Sequence, residues 1–266
     1  MQFRSIDFSQ YSSFKIGGIF DVALLKNDFK NINQYYLIGS CNNTLIGSNP
    51  PKLMMLDKMY DYIKIQNNLL KIGGATPSGK IASFCKKNNI ANFEFVSHLP
   101  GKLGGLVFMN AGLKEFEIFN HLVNITTPFG IRTKESLSYG YRCTNIDEPI
   151  LEASFHIEYG FNLEKVAIFK KMRANQPSIP SAGSCFKNPK DDYAGRLIEA
   201  VGLKGQKVGA MEFSTQHANF LVNHGDGCFE DAIFLINEAQ KRVFEVFGIK
   251  LELEIIILDT KIKTLF

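Results

Sequence analysis

The chain has 266 residues, enough for a sizeable core and for two or three domains. Hydrophobic residues are 45% and charged residues 21%, a globular balance, and the net charge of +4 suits an anionic small molecule while being too weak a field for nucleic acid. No apolar run approaches the ~20 residues that span a bilayer, the first ten residues lack a signal peptide's basic start and apolar stretch, and five cysteines without a CxxC pair read as reduced thiols of a cytoplasmic protein, with no metal site or disulfide frame.

Ser13-Phe14-Lys15-Ile16-Gly17-Gly18 opens the patterned part of the chain, followed by a predicted strand at Val22–Leu25 and a short helix near Asp28–Tyr35. Leu37 to Ile46 reads as strand, polar turn and strand. The backbone amides of its turn, Gly39-Ser40-Cys41-Asn42-Asn43, can cradle an anion; a plain hairpin turn is the other reading. Alternation on both sides of Asn67-Asn68 predicts a β-hairpin over residues 62–73. Pro77–Asn88 is expected to be helical, with Ile81, Phe84 and Cys85 on one face. Leu99-Pro100-Gly101-Lys102-Leu103-Gly104-Gly105, an apolar strand at Leu106–Met109 and Asn110-Ala111-Gly112 come next. Four glycines around one short strand mean that backbone approaches a ligand or another segment closely. The dinucleotide fingerprint GxGxxG within a βαβ unit is absent.

Strands are expected to dominate from Phe119 to Ile157, with turns at residues 128–130 and 147–149 and with Tyr141-Arg142-Cys143-Thr144 among them. Leu163–Gln176 reads as a helix that Pro177 ends. Two prolines then bracket Pro180 to Pro189, so neither end continues a helix or an inner strand. Within that stretch Ser184, Lys187 and Asn188 offer a hydroxyl, a cation and an amide. Helices follow at Tyr193–Val201 and Asp226–Phe247, the latter with a stripe of Ala232, Ile236, Ala239, Val243 and Phe247 and a stop at Gly248. Ile249–Leu258 alternates as a strand and places Glu254 beside apolar neighbours, where burial would raise its pKa. Lys261-Ile262-Lys263 reads as a solvated tail. By chemistry alone Arg142 reads as a surface cation and His217 as a structural histidine.

Gly183-Ser184-Cys185-Phe186-Lys187-Asn188-Pro189 resembles the catalytic-serine segment of the UDP-N-acetylenolpyruvoylglucosamine reductases, flavoenzymes of peptidoglycan precursor synthesis. Further matching segments occur in that family's order over nearly the whole chain: residues 13–18, the turn 39–43, residues 98–105, Asn110-Ala111-Gly112, Tyr141-Arg142, His217-Ala218-Asn219-Phe220, and Leu251-Glu252-Leu253-Glu254-Ile255. Cys41 and His98 stand where the family has glycine, Asn42 stands for serine, and Thr144 keeps a hydroxyl where the family has serine. The short gap from Arg142 to Ser184 is similar to the compact, type II-like branch, which lacks an extra loop over the substrate.

The resemblance implies an α+β fold: a two-part FAD-binding domain of the vanillyl-alcohol-oxidase kind (residues 1–60 and 61–165), a smaller α+β substrate-binding domain (166–248), and a C-terminal strand and tail (249–266) that returns to the active site. It implies FAD held by Gly39, Asn42, Asn43, Thr44, Leu99, Pro100, Gly101, Gly104, Gly105, Asn110 and Gly112, with NADPH as hydride donor. The implied reaction reduces UDP-N-acetyl-3-O-enolpyruvylglucosamine to UDP-N-acetylmuramate. Ser184 is then the proton donor, Arg142 and Glu254 stabilise the enolate, and the three converge over one face of the flavin, while Tyr141, Lys187, Asn188 and His217 meet the pyrophosphate and sugar. A monomer that binds no nucleic acid, membrane or metal is expected. Two alternatives are another flavin oxidoreductase of the same fold acting on a small alcohol or sugar, and a non-catalytic nucleotide-binding protein.

Overall fold

A computed structural model describes residues 1–262. Helices and strands are mixed, and the chain divides into two compact units. The first comprises residues 1–3, 23–40 and 53–174; the second comprises 4–22, 41–52 and the chain from Asn175 onward.

In the first unit a five-stranded antiparallel sheet runs in the order Gly130–Thr133, Leu122–Thr127, Glu152–His156, Leu69–Gly73, Ile63–Gln66. The hairpin about Asn67-Asn68 forms as the alternation predicts, and both asparagines take left-handed φ values of +54° and +57°. That is the type I′ geometry whose twist matches the strands, and asparagine tolerates it better than most residues. Helices Ser78–Lys87 and Leu163–Met172 both pack on the short 3₁₀ segment Glu94–His98. Phenylalanine fills the space between them: Phe93 meets Phe155 edge-on at 5.3 Å and Phe116 meets Phe169 at 5.0 Å. A chain with 23 Phe and no Trp thus builds its core from edge-to-face pairs, which leave no ring N–H to satisfy.

Three expected elements come out differently. Leu106–Met109 is not a strand; Leu103–Phe108 is a helix, with Leu103, Leu106 and Val107 buried at helical spacing. An apolar run this short is ambiguous between the two periods, and packing decides. The helix near Asp28–Tyr35 shrinks to one 3₁₀ turn, Ile32–Gln34, because Asn31 sits in the left-handed region and Asp28 bonds the amide of Lys30 instead. The run Ile249–Leu258 forms no single strand. Leu253 bridges to Phe186, Glu254 and Ile255 bend, and only Ile256–Leu258 pairs, parallel to Thr44–Ile46.

In the second unit a four-stranded sheet runs in the order Ser181–Ser184, Phe220–Asn223, Met211–Phe213, Lys207–Val208. The helices Ala194–Ala200 and Phe229–Phe247 bury Leu197, Ile198, Ala232, Ile236, Ala239 and Val243 in its core together with Met211 and Phe213. Phe247, expected on the buried stripe, is 38% exposed at the helix end, where Gly248 at φ +68° stops the chain. All five cysteines are free, three of them buried. The tail expected at residues 261–263 runs past the described residues.

Candidate active site

Ser184 ends an edge strand. The prolines on either side exclude an inner strand, and an edge is where such a segment can pair on one side only. The register slips between Ser181, opposite Val222, and Ser184, opposite Phe220. Gly183 takes φ +80° within this bulge, with nothing within 4 Å of a Cβ placed there, so backbone conformation and not space requires glycine. Bulges re-aim the side chains that follow them.

The residues after Ser184 are held by Asn219, which is 3% exposed. Its Oδ1 accepts from the Phe186 amide at 3.0 Å, its Nδ2 donates to the Phe186 carbonyl at 2.8 Å, and its own carbonyl accepts from the Cys185 amide at 2.7 Å. Asn223 plays a similar part elsewhere in this unit: Oδ1 accepts from Gly225 and Gly227, while Nδ2 donates to the carbonyls of Phe14 and Lys15. Neither asparagine stands among the predicted site residues. The run from His217 to Asn223 marks the segment in sequence, but which amides these side chains would meet is a long-range fact.

The bent segment around Glu254 lies against the same stretch. The Glu254 amide donates to the Cys185 carbonyl at 2.9 Å, and the Lys187 amide donates to the Glu252 carbonyl at 2.9 Å. Burial first, and then the Glu254 carboxyl, push the Cys185 thiol far up, so it stays protonated. Asn43 Nδ2 donates to the Glu254 carbonyl at 2.9 Å. The residue after Ser184, the Glu254 backbone and Asn43 are therefore joined within one unit. Lys187 Nζ pairs with Glu252 at 3.5 Å on the surface, and Asn188 accepts from the first amide of the helix Ala194–Ala200. His217 packs on Phe220 at 4.9 Å, and its Nδ1 accepts from the Asn219 amide; burial lowers its pKa. A separate polar pocket of about 520 Å³ in this unit is lined by Ser178, Lys207, Glu212, Ser214, Gln216 and His224, among others. None of Ser184, Glu254 and Asn43 lines it.

The turn at residues 39–43 is no hairpin. The strand before it, Tyr36–Leu37, pairs parallel with Leu53–Leu56, and Thr44–Ile46 pairs with Ile256–Leu258. Cys41 takes φ +51°, a left-handed conformation natural to glycine, and is 4% exposed. A Cβ at Gly39 or at Gly105 would meet nothing within 4 Å, so the backbone borders open space at both places. Turn amides and bare glycine backbone suit an anionic group in chemistry.

Arg142 belongs to the first unit. Strands Tyr139–Gly140 and Cys143–Thr144 pair across a two-residue turn in which Arg142 takes φ +55°, a strained position for a residue with a side chain. Its guanidinium reaches back to the end of the helix Leu103–Phe108, donating to the Gly112 carbonyl at 2.7 Å and the Asn110 carbonyl at 3.4 Å, and it lies 5.0 Å from the Tyr141 ring. Thr144 Oγ1 donates to the Phe108 carbonyl at 2.7 Å. Carbonyls past a helix end lack intrahelical partners, and this hairpin supplies them. Arg173, absent from the predicted set, lies near enough that its pKa is lowered, by burial first and then by Arg142.

The family profile "UDP-N-acetylenolpyruvoylglucosamine reductase, C-terminal domain" matches residues 175–258. The chain is 48% identical over 263 residues to the UDP-N-acetylenolpyruvoylglucosamine reductase of Helicobacter hepaticus, covering 97% of this chain and 100% of that one. It is 43% identical to the enzyme of that name from Helicobacter pylori strain J99, covering 96% and 98%. The crystal structure of the Thermus caldophilus UDP-N-acetylenolpyruvylglucosamine reductase superposes with a TM-score of 0.85 at 24% identity, over 97% of this chain and 99% of that one, and shares its fold. With near-half identity over almost the full length of a relative, and an α+β fold in common with a solved member, the chain belongs to the UDP-N-acetylenolpyruvoylglucosamine reductase family.

Proposed function

We propose that the protein reduces UDP-N-acetyl-3-O-enolpyruvylglucosamine to UDP-N-acetylmuramate with NADPH and FAD, in peptidoglycan precursor synthesis. The observation that carries this reading is the joining of the Ser184 segment, the Glu254 bend and Asn43 by backbone and amide hydrogen bonds. A plain nucleotide-binding protein has no reason to tie the backbone beside a serine and a glutamate to the turn that would hold the nucleotide.

Gly39, Asn42, Asn43, Thr44, the loop Leu99–Gly105, Asn110 and Gly112 would hold FAD. Bound FAD would supply the redox chemistry, relaying a hydride from NADPH. The chain's own groups act on the substrate. As the enolpyruvyl double bond is reduced, negative charge builds on the carbon bearing the carboxylate and spreads into that carboxylate. Arg142 and Glu254 stabilise it, each contributing a few kcal/mol through a preorganised contact. Ser184 then gives its proton to that carbon; a weak acid suffices because the carbanion is a strong base. Tyr141, Lys187, Asn188 and His217 orient the pyrophosphate and sugar. The protein works in the cytoplasm as a monomer.

The test is the colour of the purified protein and its oxidation of NADPH, followed by absorbance with and without the enolpyruvyl sugar nucleotide. Oxidation that depends on that substrate is expected. A colourless protein, or NADPH consumption indifferent to the substrate, defeats the reading.

A further inference from the structure

Arg142 is held by more than its own turn. Its two carbonyl partners, on Asn110 and Gly112, flank Ala111 where the chain leaves the helix Leu103–Phe108. Asn110 is 0% exposed and takes φ +46°. Its Nδ2 donates to the Glu117 carboxylate at 2.8 Å and to the Gly140 carbonyl at 3.1 Å, and its Oδ1 accepts from the Phe119 amide at 3.3 Å. Gly140 lies two residues before Arg142, in the strand paired with Cys143–Thr144. One buried amide therefore ties the guanidinium's carbonyl dock to the hairpin that carries the guanidinium.

Glu117 aims that amide. It sits directly across from Gly112 in a two-stranded ladder so close that a Cβ on Gly112 would fall 2.3 Å from the Phe116 carbonyl oxygen and 2.8 Å from the Glu117 Cα. A primary amide can turn about its last bond and exchange its donor and acceptor ends. A carboxylate only accepts, so Glu117 fixes the Nδ2 end toward itself, which leaves Oδ1 for Phe119 and the second N–H for Gly140. A charge-assisted bond of this kind is about twice as strong as a neutral one.

We propose that Glu117 is a positioning residue for Arg142, acting through the Asn110 side chain on the hairpin turn. The inference rests on the assignment of Arg142 to enolate stabilisation. Its effect falls first on the step that needs the guanidinium placed to within a fraction of an ångström.

The experiment compares Glu117→Gln, Glu117→Asp, Glu117→Ala and Arg142→Lys in the FAD-loaded enzyme. Flavin bleaching by NADPH and flavin reoxidation by the enolpyruvyl substrate are followed separately, beside KM, kcat and Tm. Glu117→Asp keeps the charge but falls one methylene short of Asn110, and Glu117→Gln keeps the reach and an acceptor oxygen. Glu117→Asp and Glu117→Ala are expected to slow reoxidation and kcat on the order of tenfold to a hundredfold, clearly more than they slow bleaching. Glu117→Gln keeps an acceptor oxygen but loses the charge and the acceptor-only character, and is expected to fall between wild type and Glu117→Ala. Wild-type reoxidation in Glu117→Asp and Glu117→Ala, while Arg142→Lys is slow, overturns the proposal. So does a Glu117→Gln no faster than Glu117→Ala, or an equal loss in both half-reactions. Wild-type reoxidation in Arg142→Lys overturns the role of Arg142, and this proposal with it.

Discussion

Asn219→Ala should be among the more damaging single substitutions in the second unit. The side chain is 3% exposed and serves both backbone groups of Phe186, itself 0% exposed. Alanine leaves that amide and that carbonyl without their side-chain partners in a space closed to bulk water. Each orphaned buried group costs about 1–3 kcal/mol, so the pair costs about 4 kcal/mol. For a chain of this size that lowers Tm by about 8–16 °C. Asn188→Ala is the internal control: it also removes a hydrogen bond to a backbone amide, that of Ala194, but from an exposed position. It should cost only about 1 kcal/mol. Thermal unfolding followed by circular dichroism measures both. Because Phe186 separates Cys185, which binds the Glu254 amide, from Lys187, which binds the Glu252 carbonyl, turnover should fall with stability. A Tm within about 2 °C of wild type in Asn219→Ala would refute the reasoning, since it would mean that water or a shifted backbone satisfies Phe186 at little cost.

Ser184→Ala should leave flavin reduction by NADPH intact and reduce substrate turnover by about a hundredfold or more, read by stopped-flow absorbance; equal loss in both half-reactions removes the serine from proton transfer. Glu254→Gln should bind the substrate yet turn it over about tenfold to a hundredfold more slowly, seen as a fall in kcat at similar KM. Asn68→Gly puts the residue best suited to φ +57° at an exposed turn position and should raise stability by about 0.5–1 kcal/mol in urea unfolding, while Asn68→Ala should lower it. Burial lowers the pKa of both His121 and His217 below the ordinary 6.5. The unfolded chain therefore binds more protons near and below pH 6.5, and the stability that neutral histidines contribute is lost as pH falls through 6.5 toward their folded values. Unfolding at pH 7.5 and 5.5 should show that loss, and the pair His121→Gln with His217→Gln should flatten it.

Local signals reached a long way in this chain. The Asn67-Asn68 hairpin follows from alternation about an asparagine pair, and the long helix ending at Phe247 follows from its stripe and from Gly248. The order of motifs from Gly39 to Glu254 identifies the family, because a chemical mechanism ties particular residue types to particular segments. What local pattern could not decide was anything that depends on a partner far along the chain. Leu103–Phe108 carries an apolar run that suits a short strand or a short helix, and burial of Leu103, Leu106 and Val107 chooses the helix. Ile249–Leu258 alternates like one strand, yet its two ends find different partners, Phe186 and Thr44–Ile46, and the chain bends at Glu254 between them. Glu117 and Asn223 read as ordinary polar residues, and Asn110 and Asn219 as motif positions without known partners, until the fold sets particular polar groups within 3 Å or so of their side chains. Periodicity and turn chemistry act between neighbours in sequence, so the sequence alone specifies them. A hydrogen bond between residues 33 apart exists only once the chain has closed on itself, and tertiary structure alone decides which buried polar group it satisfies.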